Sequence, residues 1–144
     1  GVHRPTLSGR GVTVGDYDED GDLDLYVPSG DLLGSDDSRN ALWRNDTPQG
    51  HRVMLRLVGR RSNRSAIGAR ATLRSGDLLR VEEVIGNTGC GGQRSLDLFL
   101  GLGSRSQVDS LTLRWPSGEK TELEAVPVDR LLIVPEGERG FETR

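Results

Sequence analysis

The chain has 144 residues, a net charge of −3, 20 glycines and only 4% aromatic residues. That length is one ordinary domain, or one domain with an appendage. The composition excludes a helical bundle in favour of a turn-rich β protein with a modest aliphatic core. The single cysteine, Cys90, excludes an internal disulfide or a cysteine-based zinc cluster.

Taken in chain order, the first unit is a strand, an acidic loop and a second strand. Val12 and Val14 lead into Asp16-Tyr17-Asp18-Glu19-Asp20-Gly21-Asp22-Leu23-Asp24, and Leu25 and Val27 follow. Two like charges about 4 Å apart repel by roughly 4 kcal/mol at an effective dielectric near 20, so a folded loop that gathers so many acids implies a cation. Calcium fits best, being a hard ion that takes six to eight oxygen ligands in flexible geometry. Asp16, Asp18 and Asp20 hold the first, third and fifth loop positions, and Gly21 permits a sharp turn. Asp22 offers its carbonyl, and Asp24 closes the site. The loop is not an EF-hand, because that motif needs a bidentate Glu at its twelfth position and flanking helices. Here the twelfth position is Val27, and both flanks alternate as strands. A merely solvated acidic turn is the blander reading. The spacing, the glycine and the flanking alternation together oppose it.

Asp31 to Arg39 reads as a polar loop, and Thr47-Pro48-Gln49-Gly50 as a break before a second unit. Short strands then follow. Val53, Leu55 and Leu57 share one face, and Ala69, Ala71 and Leu73 alternate with Arg70, Thr72 and Arg74. Ser75-Gly76-Asp77 turns the chain into Leu79 and Val81. Gly86 to Gln93 is a glycine-rich loop, read first as a wide loop with several positive φ angles and second as backbone able to approach a ligand closely. Leu111, Leu113 and Trp115 alternate with polar residues, Pro116-Ser117-Gly118 makes a turn, and Leu131 to Val134 is the last strand. The expectation is all-β: a partial blade over 1–46, a small antiparallel β-sandwich or barrel over 51–137, and a tail over 138–144.

Gly9-Arg10-Gly11-Val12-Thr13-Val14-Gly15, the acidic loop and Leu25-Tyr26-Val27 together resemble an FG-GAP (VCBS-type) repeat, the calcium-binding blade of integrin-like β-propellers. Asn40-Ala41-Leu42-Trp43-Arg44-Asn45 is similar to the strand that ends such a blade. Four later segments resemble the ASPIC/UnbV domain of cartilage-acidic-protein-like chains: Leu55 to Gly59, Ser62-Asn63-Arg64-Ser65-Ala66-Ile67-Gly68-Ala69-Arg70, Gly101-Leu102-Gly103 and Arg114-Trp115-Pro116-Ser117-Gly118. The resemblance departs near Cys90 and Gly92, where the family commonly has Tyr and Ser, and at Phe99-Leu100, where it commonly has His-Phe. One blade cannot close a propeller of about four to eight, so either upstream blades of a parent protein are its partner or the blade packs on the C-terminal domain. The opening on Gly1 and the sole methionine, Met54, likewise lead to the expectation of a fragment or a processed form.

No catalytic constellation is legible. His51 reads as a packing or hydrogen-bonding residue at a domain junction, Cys90 has no visible local base, and no serine lies in a nucleophile elbow. Asn63 and Arg64 read as structural, Asn63 through a local turn. Outside the acidic loop the chain carries +3, with Arg60, Arg61 and Arg64 in a cluster that lacks the aromatics of a nucleic-acid surface. No apolar run is long enough to span a membrane, and no signal peptide is visible. The expected function is a non-catalytic, calcium-binding module of a secreted or cell-surface protein, contacting a protein or glycan in adhesion or matrix. By analogy with extracellular modules its calcium dissociation constant would be about 10⁻⁴ to 10⁻³ M. The alternatives are a purely structural C-terminal cap of a propeller and an accessory enzyme of secondary metabolism.

Overall fold

The computed structural model describes residues 11–29, 40–47, 50–87 and 93–144. The described residues are all-β, with eleven strands in three sheets and no helix. Accordingly no helix is long and apolar enough to cross a membrane. Contacts divide the chain into two compact units, residues 1–47 with 86–95, and residues 48–85 with 96–144. The division is not linear: the chain leaves the second unit at Ile85 and re-enters it at Leu96.

The first unit holds a three-stranded antiparallel sheet in the order β1 (Thr13–Gly15), β2 (Asp24–Val27), β3 (Ala41–Trp43). Gly15 is opposite Asp24, so the acidic loop is the whole connection between two paired strands. The Ser95 amide donates to the Val14 carbonyl at 3.2 Å, holding the returning segment against β1. The expected polar loop at 31–39 lies outside the described residues, as do His3, Gly9, Arg10, Pro48, Gln49 and residues 88–92 of the glycine-rich loop.

The second unit is a two-sheet sandwich. One sheet has the order β11 (Glu142–Thr143), β10 (Leu131–Pro135), β4 (His51–Val58), β7 (Leu98–Gly103). The other has the order β6 (Leu78–Glu83), β5 (Arg70–Ser75), β8 (Ser110–Arg114), β9 (Lys120–Leu123). Alternation aims Val53, Leu55, Leu57, Leu98, Leu100, Leu102, Leu132 and Val134 from the first sheet, and Ala71, Leu73, Leu111, Leu113 and Leu123 from the second, into one core. Each fully buried Leu or Val contributes on the order of 1.5–3 kcal/mol. Trp115 caps this core, and its indole N–H donates to Thr121 Oγ1 at 2.9 Å, so the ring is buried with its polar atom satisfied.

Three expectations need correction. The sheets do not close, so the sandwich stands and the barrel does not. The sandwich is not wholly antiparallel either, because β10 runs parallel to β4, with Leu132 opposite Leu55 and Val134 opposite Leu57. Between these strands the chain builds the entire second sheet, which supplies the long crossover that a parallel pair requires. The segment expected as a tail contributes an edge strand, with Glu142 opposite Ile133. On β6, moreover, Leu79 and Val81 are exposed. The two-residue Gly76-Asp77 turn sets Ser75 opposite Leu78, and this register carries Leu79 and Val81 to the outer face.

Candidate functional site

The acidic loop folds back on itself through backbone donors. Gly21, with φ at 90°, turns its N–H onto Asp16 Oδ2 at 2.9 Å. The Asp22 N–H donates to Asp20 Oδ1 at 2.8 Å. Asp24 is the anchor: it is buried, with Oδ2 accepting from the Tyr17 N–H at 3.0 Å and Oδ1 from the Asn45 N–H at 2.8 Å. These bonds draw Asp16, Asp18 and Asp24 together until a carboxylate oxygen from each lies within 4.8 Å of the others. The carboxylate of Asp20, also expected as a ligand, lies outside that triad, as does that of Asp22, which was expected to offer its main-chain carbonyl. Asp20 is exposed, whereas Asp22 is buried.

The electrostatics of the loop suit a cation. Burial raises the Asp16 carboxyl above its ordinary value, the charges of Asp20 and Asp18 add to the rise, and the Gly21 N–H only partly offsets them. Asp16 Oδ1 is buried and accepts no hydrogen bond. A buried carboxylate oxygen without a donor is costly, and a bound cation would relieve it. Arg44 supplies a weak countercharge, 3.9 Å from Asp18, but pairs more closely with Asp46 at 2.7 Å. An all-oxygen donor set with one orphaned carboxylate oxygen fits a hard divalent ion.

The second unit is organised around a residue that the sequence did not single out. Glu136 follows β10 and is 2% exposed. Its Oε2 accepts three consecutive backbone N–H groups, from Arg60 at 2.7 Å, Arg61 at 2.8 Å and Ser62 at 2.7 Å. Its Oε1 accepts the Ser62 hydroxyl at 2.8 Å and the Ser117 hydroxyl at 2.5 Å. The Ser117 N–H in turn donates to Ser62 Oγ at 3.1 Å. Burial alone would raise the carboxyl, but these donors outweigh it and hold its pKa at about 2. One anion thus ties the Ser62-Asn63-Arg64 segment to the Trp115-Pro116-Ser117-Gly118 turn.

Beside it, Asn63 closes its own loop. Its side chain accepts from the Ile67 N–H at 2.9 Å and donates to the Ile67 carbonyl at 2.8 Å, a side-chain turn of the expected kind. Ala66 is buried with φ at 53°, and Gly68 follows with φ at 91°.

A model of the ASPIC and UnbV family matches residues 59–140, more than half of the chain. The chain belongs to this family. The ASPIC and UnbV match begins at Gly59, beside the loop that Glu136 holds, and ends beyond Glu136 itself, so it contains the whole network. No curated protein matches the sequence.

His51 is the first residue of β4, in the second unit but ahead of the matched segment. Its Nδ1 is 2.6 Å from Asp129 Oδ2, while Asp129 Oδ1 accepts the Arg52 N–H at 3.1 Å. Burial tends to raise the Asp129 carboxyl, but the His51 and Arg52 hydrogen bonds prevail and hold it below its ordinary value. Asp129 also donates its N–H to the Arg52 carbonyl at 2.8 Å, and the β4–β7 register shifts between His51 and Arg52. The pair therefore fastens a bulge. Arg64 is exposed.

Proposed function

We propose that this chain is a non-catalytic, calcium-binding module of a secreted or cell-surface protein that contacts a protein or glycan partner. In this reading the first unit is an FG-GAP/VCBS-type repeat completing a propeller with other blades of its parent, and the ASPIC and UnbV unit presents the binding surface. The observation that carries it is Asp16 Oδ1, a buried acceptor without a donor in a loop where three carboxylates converge. Asp16, Asp18 and Asp24 would hold the ion, and calcium, when bound, neutralises their mutual repulsion. The residues of the chain do the rest. Asp24 is positioned by the Tyr17 and Asn45 amides, and Gly21 fixes the turn. The network around Glu136 gives the second unit a loop architecture set by hydrogen bonds, as a recognition module needs. Calcium titration of the wild type and of Asp18→Ala tests the proposal. It predicts one saturable site in the wild type that the variant lacks, and the absence of binding to a folded wild type would overturn it.

A further inference from the structure

The outer face of the β6-β5-β8-β9 sheet carries a charge arrangement that folding does not explain. Across the strands, Arg70 is directly opposite Arg114, and Arg114 is directly opposite Lys120. Like charges opposite one another destabilise a sheet. One row along, Thr72 is opposite Thr112, and beyond it Arg74 is opposite Ser110. Arg70, Arg74 and Arg114 are all exposed. Among the described residues, the ion pairs of this unit involve none of the three. Three acids lie on or beside the face: Glu83 opposite Arg70, Glu122 opposite Thr112 and paired with Lys120, and Asp109, whose N–H donates to the Arg74 carbonyl at 2.9 Å. In a chain of net charge −3, this sheet face is therefore locally cationic.

From this arrangement we infer that the face binds a sulfated polysaccharide through Arg70, Arg74 and Arg114. The inference deepens the glycan arm of the function proposed above and rests on it. Adjacent strands are about 4.8 Å apart and a strand rises about 3.3 Å per residue, so Arg70 and Arg114 form a close pair with Arg74 roughly 13 Å along. An extended polyanion can meet both ends at once. Guanidinium forks suit the paired oxygens of a sulfate, and the Thr72 and Thr112 hydroxyls between them suit sugar hydroxyls. The face has no aromatic residue on which bases could stack, and no element that protrudes into a groove, which disfavours nucleic acid. Leu79 and Val81 are its exposed aliphatics on β6, too few for insertion into a bilayer.

The test is heparin binding by the full chain in calcium-containing buffer, followed as a function of salt. The double variant Arg70→Gln/Arg114→Gln and the single variant Arg74→Gln are compared with the wild type. Unsulfated hyaluronan, duplex DNA and phosphatidylserine vesicles serve as the other probes. The expected result is an affinity for heparin that falls about tenfold per arginine removed, with the salt slope reduced by a little under one for each. Melting temperatures should be unchanged or slightly raised, because repulsion is relieved. Asp18→Ala should keep its heparin affinity, so failure of the calcium loop and failure of this surface are read separately. The inference is overturned if heparin does not bind, if the arginine variants bind as tightly as the wild type, or if hyaluronan, DNA or vesicles bind equally well. A fall of several degrees in the melting temperature of both variants would also overturn it, by making the arginines structural.

Discussion

Replacing Glu136 by Gln removes one charge and keeps the shape, so it isolates what that charge does in the loop network. The carboxyl moves from an ordinary 4.5 to about 2 on folding. At about 1.36 kcal/mol per unit, a shift of that size corresponds to roughly 3 kcal/mol. The substituted amide keeps an oxygen that can accept some of these bonds, so about 2 kcal/mol is the expected loss. The sign follows from the lowered value. The stabilisation is present above the unfolded pKa, near 4.5, and is lost as pH falls through about 2. Urea unfolding followed by Trp115 fluorescence in a Trp43→Phe background reads this unit alone. With a slope of about 2 kcal/mol/M, the Glu136→Gln midpoint should fall by about 1 M at pH 7. The gap should narrow between pH 5 and pH 2.5 as the wild type loses its advantage. Equal midpoints at pH 7, or a gap indifferent to pH, would refute the assignment of Glu136 as the anion that organises these loops.

Two further substitutions probe the same loop. A Cβ on Gly59 would lie 2.0 Å from the Asn63 carbonyl oxygen, so Gly59→Ala should cost about 2–3 kcal/mol and lower the melting temperature by several degrees. Gly101→Ala, where a Cβ meets nothing within 4 Å, is the matched control and should cost under about 1 kcal/mol. Asn63→Ala removes both hydrogen bonds to Ile67 from an exposed turn and should cost about 1 kcal/mol in chemical denaturation, while Asn63→Asp should recover part of it.

What the sequence made legible was local. The convergence in the acidic loop was legible because its aspartates, its turn glycine and its flanking strands lie within a few residues of one another, and the structure gathers the carboxylates of Asp16, Asp18 and Asp24 there. The alternation of Val53, Leu55 and Leu57, and of Ala71 and Leu73, likewise specifies buried faces without reference to distant residues. The parallel pairing of β4 with β10 was not legible, because hydrophobic alternation sets a face but not a partner or a direction. Glu136 was missed for a related reason. Its donors at Arg60 to Ser62 are 74 to 76 positions away, and a single Glu after an apolar strand looks like an exposed strand end. The motifs at Ser62 and Ser117 were conspicuous, but the acceptor that unites them was not. The exposure of Leu79 and Val81 was set by the length of one turn, where a shift of one residue reverses every side chain. Asp20 stands at the right spacing, yet spacing alone does not decide which carboxylates converge, and the triad does not include it.

Thermal unfolding in EDTA and in 5 mM calcium, for the wild type and Asp18→Ala, decides whether the acidic loop holds an ion. With a dissociation constant of about 10⁻⁴ to 10⁻³ M, calcium at that concentration should stabilise the first unit by about 1–2 kcal/mol. The wild-type transition reported by Trp43 should rise by several degrees in calcium, and that of Asp18→Ala should not move. A folded wild type whose transition is the same in both buffers would contradict calcium binding by the loop.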